Sequence, residues 1–222
     1  QERNAATQPG NFCLGLPTFD LLSVQEIMDD LEGFDHLKEL RDQNYGAVVS
    51  DVTGAFPGEP GLGERLGFLY NRSLVERGNI VSDASYDRTK LFTTLIEHKE
   101  ALKATIAPHL DPQTGEILKG AKIQFPIFLT FVRQPFCASF RISGHPGTVP
   151  YEFIAVNAHL YFRDSIEDRR QEFDALMEWI MGRVKEEQGA FFSYILLGDL
   201  NLDFDHPTQD RSRIEAYIKT FN

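Results

Sequence analysis

Phe153–Leu160 (FIAVNAHL) and Ile195–Asn201 (ILLGDLN) are the two stretches on which the reading of this chain turns. Each opens as a short apolar run, Phe153 to Ala158 in one and Tyr194 to Leu197 in the other, of the kind that forms a strand buried within a sheet. Each closes on polar residues: Asn157 and His159 in the first, Asp199 and Asn201 in the second. Residues just past the end of a strand are held by the sheet yet reach solvent, and catalytic groups are commonly found there. Between the two runs lies the clearest helical pattern, Ile166 to Glu187. Phe173, Leu176, Met177, Ile180, Met181 and Val184 recur there at the spacing of one helical face, and Ser165 with Asp168 resembles a capping box.

Further strands are predicted at Phe19 to Gln25, ending on Glu26, at Tyr45 to Val52, at Pro126 to Val132 and at Phe136 to Ile142. Arg65 to Tyr70 and Leu74 to Val81 read as a hairpin-like pair around Asn71-Arg72-Ser73. Leu31, Phe34, Leu37 and Leu40 suggest a short helix in the charged stretch Met28 to Gln43, and 54–63 is a Gly/Pro-rich loop. From 83 to 125 the pattern weakens to one helix, Ile96 to Ile106, and a turn at Asp111-Pro112, as in a variable insertion. The final segment, Arg213 to Asn222, reads as a helix or its exit. Strands mostly precede helices in mixed order, without internal repeats, so one α/β or α+β domain over 1–222 with stacked sheets is the economical fold.

Bulk properties narrow the function. The 222 residues carry 33 Asp and Glu against 22 Lys and Arg, a formal charge of −11 that argues against holding polyanions by general attraction. At 42% hydrophobic the chain has material for one ordinary core. No apolar run approaches a membrane span, and Gln1 to Gly10 lacks the apolar centre of a signal peptide, so a soluble chain is expected, with the cytoplasm favoured. Cys13 and Cys137 are too few for a disulfide framework and read as plain thiols.

Gln25-Glu26, Asn157-Ala158-His159 and Gly198-Asp199-Leu200-Asn201 each follow an apolar strand, in the order Glu, His, Asp/Asn. Each motif alone is ordinary: a carboxylate capping a strand, a satisfied histidine, a Gly-Asp turn. Together with GERLGFLY (Gly63–Tyr70) and RQPFCASF (Arg133–Phe140), they resemble the endonuclease/exonuclease/phosphatase superfamily, the deoxyribonuclease-I-like fold. That resemblance implies a two-layer β-sandwich flanked by helices that hydrolyses phosphoesters with Mg²⁺ or Mn²⁺. It implies metal binding by Glu26, and contact with the scissile phosphate or protonation of the leaving oxygen by His159. It also implies placement of water and phosphate by Asp199 and Asn201, orientation of the histidine by Glu64 and phosphate contact by Arg133. Asn157, two residues before His159 on a period-two strand, shares its face and is a further substrate-contact candidate.

The residue types suit such chemistry on their own terms. A phosphodiester repels nucleophiles, so its hydrolysis needs a cation at the non-bridging oxygens, a base for water and an acid for the departing alkoxide. Mg²⁺ takes few carboxylates and keeps waters, whereas no His/Cys spacing here suits zinc. The expectation is a divalent-metal-dependent phosphodiesterase, nuclease-like, with nucleic acid as substrate and no obligate protein partner. The alternatives are a phosphomonoesterase or phospholipase-type member, or a non-catalytic interaction domain on the same fold. Two departures accompany the resemblance. Positions that carry groove-entering Arg and Tyr in the deoxyribonuclease hold Met28 and Leu62, and the usual first strand with its Asn and closing Ser-Asp-His segment are not recognisable, which suggests a domain incomplete at both ends.

Overall fold

The computed structural model describes residues 19–28, 30–40, 44–52, 63–84, 93, 95–121, 131–162, 166–186, 193–203 and 210–221. Strands β1 (Leu21–Ile27), β2 (Tyr45–Val49) and β3 (Arg65–Asn71) form an antiparallel sheet in the order β1-β3-β2. Strands β4 (Val75–Asp83), β5 (Phe136–Ile142), β6 (Tyr151–His159) and β7 (Ser193–Asp199) form a second sheet in chain order. The helices are α1 (Glu32–Leu40), α2 (Lys99–Ile106), α3 (Ile166–Glu186) and α4 (Asp210–Phe221), with a 3₁₀ turn at Ala107–His109 after α2. The architecture is α+β, two sheets with flanking helices.

The period-two alternation of strands builds the layers. On β6, Phe153 and Ala155 turn inward to meet Leu66, Phe68, Phe136 and Phe140 between the sheets. Ile154, Val156 and Ala158 turn outward beneath α3, against Phe173, Leu176 and Ile180. Sheet one is covered on its outer face by α1, whose Phe34 packs with Ile27, Tyr45 and Leu69. Gly67 permits that approach, since a Cβ there would lie 2.7 Å from Ile27 Cδ1. β6 and β7 are parallel, a pairing that requires a crossover, and α3 lies in the connection between them. α4 docks on α3 through Asp210, whose carboxylate accepts Arg170 Nε at 2.7 Å, and through Asp174, which pairs with Arg213 and accepts the Tyr217 hydroxyl. Burial would raise the Asp210 carboxyl, but the Asp203 amide and Arg170 outweigh it and hold it below its ordinary value.

The predicted hairpin is not one. Arg65 to Tyr70 and Leu74 to Val81 are strands but not a hairpin: β3 belongs to the first sheet and β4 to the second, where it pairs with β5. Tyr70 and Val75, on either side of the turn, are both buried in the inter-sheet cluster, so the turn closed by Leu74 N–H on Asn71 O carries the chain across the sandwich. Spacing alone does not distinguish that step from a turn within one sheet. The strand expected at Pro126 to Val132 falls mostly outside the described residues, and Phe131 and Val132 lie outside any strand. Cys13, Ser165 and the loop 54–62 are also outside them. Cys137 is a buried thiol whose pKa burial pushes up to about 12. Neither α2 nor the 3₁₀ turn within 83–125 buries a residue. Among the described residues, no helix is long and apolar enough to cross a membrane.

The inter-sheet core centres on Phe140, whose ring lies 5.4 Å from Phe68, 5.6 Å from Tyr70 and 5.8 Å from Phe153. Replacement by alanine removes that shared contact and leaves a cavity between the sheets. Phe140→Ala is expected to lower unfolding free energy by about 3–5 kcal/mol in a urea titration; a loss under about 1 kcal/mol would show that the sheets are held together elsewhere.

Candidate functional site

The inward face of β6 changes character along its length: after Phe153 and Ala155 come Asn157 and His159. Asn157 is 0% exposed, and its Nδ2 donates to Val24 O and Gly67 O, both at 2.9 Å, so it joins β6 to β1 and β3 across the sandwich. Its Oδ1 accepts Gln25 Nε2 at 2.7 Å. Where the sequence suggested a substrate contact, the Asn157 amide donates twice and accepts once in bonds that tie the sheets together.

His159, one step nearer the rim, is buried between two carboxylates. Nε2 lies 3.8 Å from Glu26 Oε1, and Nδ1 lies 3.3 Å from Glu64 Oε2 without the alignment of a hydrogen bond. Glu64, at the entry to β3, is held by Arg133, with Nε at 2.7 Å from Oε2 and Nη2 at 3.3 Å from Oε1. This fork is the bidentate geometry that fixes a carboxylate plane.

Glu26 reaches the histidine through a bulge. Val24 pairs with Gly67 and Ile27 with Arg65, so Gln25 and Glu26 together oppose Leu66 alone. Glu26 takes φ of 56°, a left-handed conformation unfavourable for a residue with a Cβ, and its side chain is 70% exposed. The strand expected to stop at Gln25 thus continues to Ile27, and the extra residue re-aims Glu26.

β7 brings the third acidic candidate, Asp199, alongside. His159 and Asp199 are register partners at the ends of β6 and β7. Leu160 N–H donates to Asp199 O at 2.9 Å, Asn201 N–H to Asp199 Oδ1 at 2.9 Å, and Asn201 Nδ2 to Leu160 O at 2.7 Å. These bonds fold the Asp199–Asn201 loop back onto the exit of β6. Gly198 is required: at φ of 127° its Cβ would fall 2.0 Å from Ala158 O. An open cleft of about 560 Å³ borders Asp199 and Asn201 and is lined further by Phe162, Arg169 and Leu202.

The structure thus gathers Glu26, Glu64, Arg133 and His159 into one contact chain, with Asp199 and Asn201 beside it. The histidine has a carboxylate near each nitrogen, at 3.3 Å and 3.8 Å, a disposition suited to moving a proton or gripping an anion. Among the described residues no three of His, Cys, Asp and Glu converge on a common metal position. Mg²⁺ takes one or two carboxylates and otherwise water, and the exposed Glu26 is a donor of that kind.

Two residues escaped the sequence reading. Arg169 Nη1 donates to Asn201 O and braces the loop from α3. Glu172, also on α3, is 0% exposed and accepts Val132 N–H at 2.7 Å and Tyr161 N–H at 2.6 Å. A signal for Glu172 was present: it stands four and eight residues before Leu176 and Ile180, a charge on the apolar stripe of the helix.

No protein-family model matches the chain. A deoxyribonuclease of Thioalkalivibrio sp. (strain K90mix) is 25% identical over 191 residues, covering 85% of this chain and 40% of that protein. A functionally unknown conserved protein from Enterococcus faecalis V583 has a similar solved structure, with a TM-score of 0.50 and 16% identity over 89% of this chain and 58% of that one. An endonuclease/exonuclease/phosphatase family protein from Bacteroides thetaiotaomicron also matches, with a TM-score of 0.44 and 16% identity over 85% of this chain and 52% of that one. The chain spans well under two thirds of each.

The position of Asn157 separates a sheet-joining role from a substrate contact. Asn157→Ala takes the amide donor from Val24 O and Gly67 O, while Gln25 Nε2 keeps the Ser23 hydroxyl at 3.0 Å. A stability loss of roughly 2–6 kcal/mol is expected in urea unfolding, at about 1–3 kcal/mol for each of the two carbonyls. An unchanged midpoint with a raised KM would restore the substrate-contact reading.

Proposed function

We propose that the chain forms the hydrolytic part of a divalent-metal-dependent phosphodiesterase of nuclease type, acting on nucleic acid. The observation that carries this reading is His159 held between Glu26 and Glu64, with Asp199 as its register partner. The similarity to a protein named a deoxyribonuclease supports nucleic acid as the substrate class.

In this mechanism a phosphodiester lies across the rim of the sandwich, with its scissile group near His159. The histidine donates a proton to the leaving oxygen or holds a non-bridging oxygen, a role that needs a fixed ring. Glu64 stands beside Nδ1, and Arg133 fixes Glu64, so the arginine expected to touch phosphate acts here through the carboxylate. Asp199, exposed beside the cleft, takes a proton from the attacking water. Asn201 keeps the loop in place through Leu160 O, which holds the aspartate next to the histidine. Glu26 would hold Mg²⁺ or Mn²⁺, which supplies positive charge at the phosphate when bound.

Two variants test these roles, with plasmid DNA and bis(p-nitrophenyl) phosphate as substrates. Glu26→Gln is expected to abolish Mg²⁺-dependent hydrolysis while leaving the unfolding midpoint unchanged, because an amide is a poor substitute for a carboxylate on magnesium. Undiminished hydrolysis by that variant at the same Mg²⁺ concentration would sink the metal assignment. His159→Ala should lower kcat by roughly 10²–10⁴ with little change in KM, the range for a group acting on proton transfer in the transition state. A change confined to KM would demote His159 to a binding residue. Hydrolysis of phosphomonoesters alone would move the reading to a phosphatase, and no hydrolysis of any phosphoester would favour an interaction domain.

A further inference from the structure

We infer that Glu172 is a positioning residue, a single buried carboxylate that clamps the two chain segments flanking His159 and thereby sets the geometry of the site. This inference rests on the phosphodiesterase reading for its catalytic consequence, but the clamp itself is a property of the fold.

The Val132 amide and the Tyr161 amide lie outside every strand. Buried backbone donors need acceptors, and here one side chain serves both: Oε1 takes Val132 at 2.7 Å and Oε2 takes Tyr161 at 2.6 Å. The segments they belong to are the ones that matter. Val132 precedes Arg133, which grips Glu64, which meets His159. Tyr161 follows Leu160, whose amide bonds Asp199 O and whose carbonyl accepts Asn201 Nδ2. One carboxylate on α3 is therefore one covalent step from each arm that fixes His159 and Asp199.

The chemistry explains why a charge stands on an apolar stripe. A carboxylate accepts at both oxygens and donates nowhere, whereas a glutamine would meet one of the two amides with its own NH₂, and a leucine would meet neither. Burial pushes the Glu172 carboxyl up to about 7, against the opposing pull of the Tyr161 and Val132 amides and of the Arg133 cation. The charged group facing it is Arg133, from the segment before β5; the exit of β6 presents the Tyr161 amide, and its own helix carries Phe173 beside it and Leu176 one turn on. Protonation turns one oxygen into a donor aimed at an N–H and releases that arm. The clamp is complete in the ionised form, which is favoured as pH rises through about 7.

The test uses the whole chain and Glu172→Gln, with two readouts. By NMR, the Val132 and Tyr161 amide protons of the wild type should shift together between pH 5.5 and 8.5 with one midpoint near 7, and the glutamine variant should show no such step. With Mg²⁺ and bis(p-nitrophenyl) phosphate at pH 8, the variant should lose roughly tenfold to a hundredfold in kcat at nearly unchanged KM, the signature of misplaced reacting groups. Two independent amide midpoints, or no titration of either in the wild type, would overturn the clamp, and this measurement stands whether or not the variant folds. A shared midpoint with full kcat in a folded variant would overturn the positioning role. A shared midpoint with no hydrolysis by the wild type at any pH would keep the clamp, reject its catalytic role and sink the phosphodiesterase reading.

Discussion

β6 is buried on both faces from Phe153 to His159, and a strand in that position must satisfy every polar group it carries. Its first residues do so by being apolar. Its last two inward residues are polar: Asn157 is hydrogen-bonded by groups from a different part of the chain, and His159 lies close to two carboxylates. Asn157 needs the carbonyls of Val24 and Gly67, so β1 and β3 must approach the second sheet closely at that level. At His159 the bulge of β1 and the entry of β3 converge, bringing Glu26 and Glu64 to its two nitrogens. The closure of the sandwich and the assembly of the polar cluster are one requirement, met at successive pairs of residues on the same face.

Much of this was legible in the sequence. The strands around Phe140, Phe153 and Ile195 and the long amphipathic α3 follow from local pattern, because burial on two faces leaves an apolar run and burial on one helical face leaves a stripe. The order of Glu26, His159 and Asp199 at strand exits was legible for the same reason. The crossing of the chain at Asn71–Leu74 was not, since the choice between pairing with β3 and pairing with β5 is made by cross-strand packing of residues distant in sequence. The bulge at Gln25–Glu26 was hidden likewise: it shows only in the register against β3, and Glu26 is a residue type that local preference would not put at positive φ.

Strain concentrates where the polar cluster lies. Among the described residues three non-glycines have positive φ, and two of them are Glu26 and Asn201; the third, Leu31, precedes α1. Gly198, beside Asp199, adopts a conformation closed to any side chain by its proximity to Ala158 O. Each costs about 1–3 kcal/mol for an ordinary residue and persists because neighbouring bonds over-determine it. Glu172 adds a cost of the same kind, a carboxylate taken out of water. Its raised pKa means that its contribution to stability is greatest below the unfolded value near 4.5 and is lost as pH rises through about 7. The ionised form that bonds both amides is thus the one the fold holds at a disadvantage.

The distribution of charge follows from these commitments. Arg133 is engaged by Glu64, Arg169 donates to the Asn201 carbonyl, and Arg170 is engaged by Asp210, so three cations near the strand exits serve to hold carboxylates and loops. Around His159 itself stand the carboxylates of Glu26 and Glu64, with Asp199 as its register partner, within a chain of formal charge −11. An anionic phosphoester approaching that rim meets carboxylates first, and positive charge must be added before it can stay. On the proposed function, the divalent cation attached to exposed Glu26 meets that need. The acidic balance of the chain and the metal requirement are then two sides of one arrangement, in which arginines provide rigidity and the added ion provides attraction.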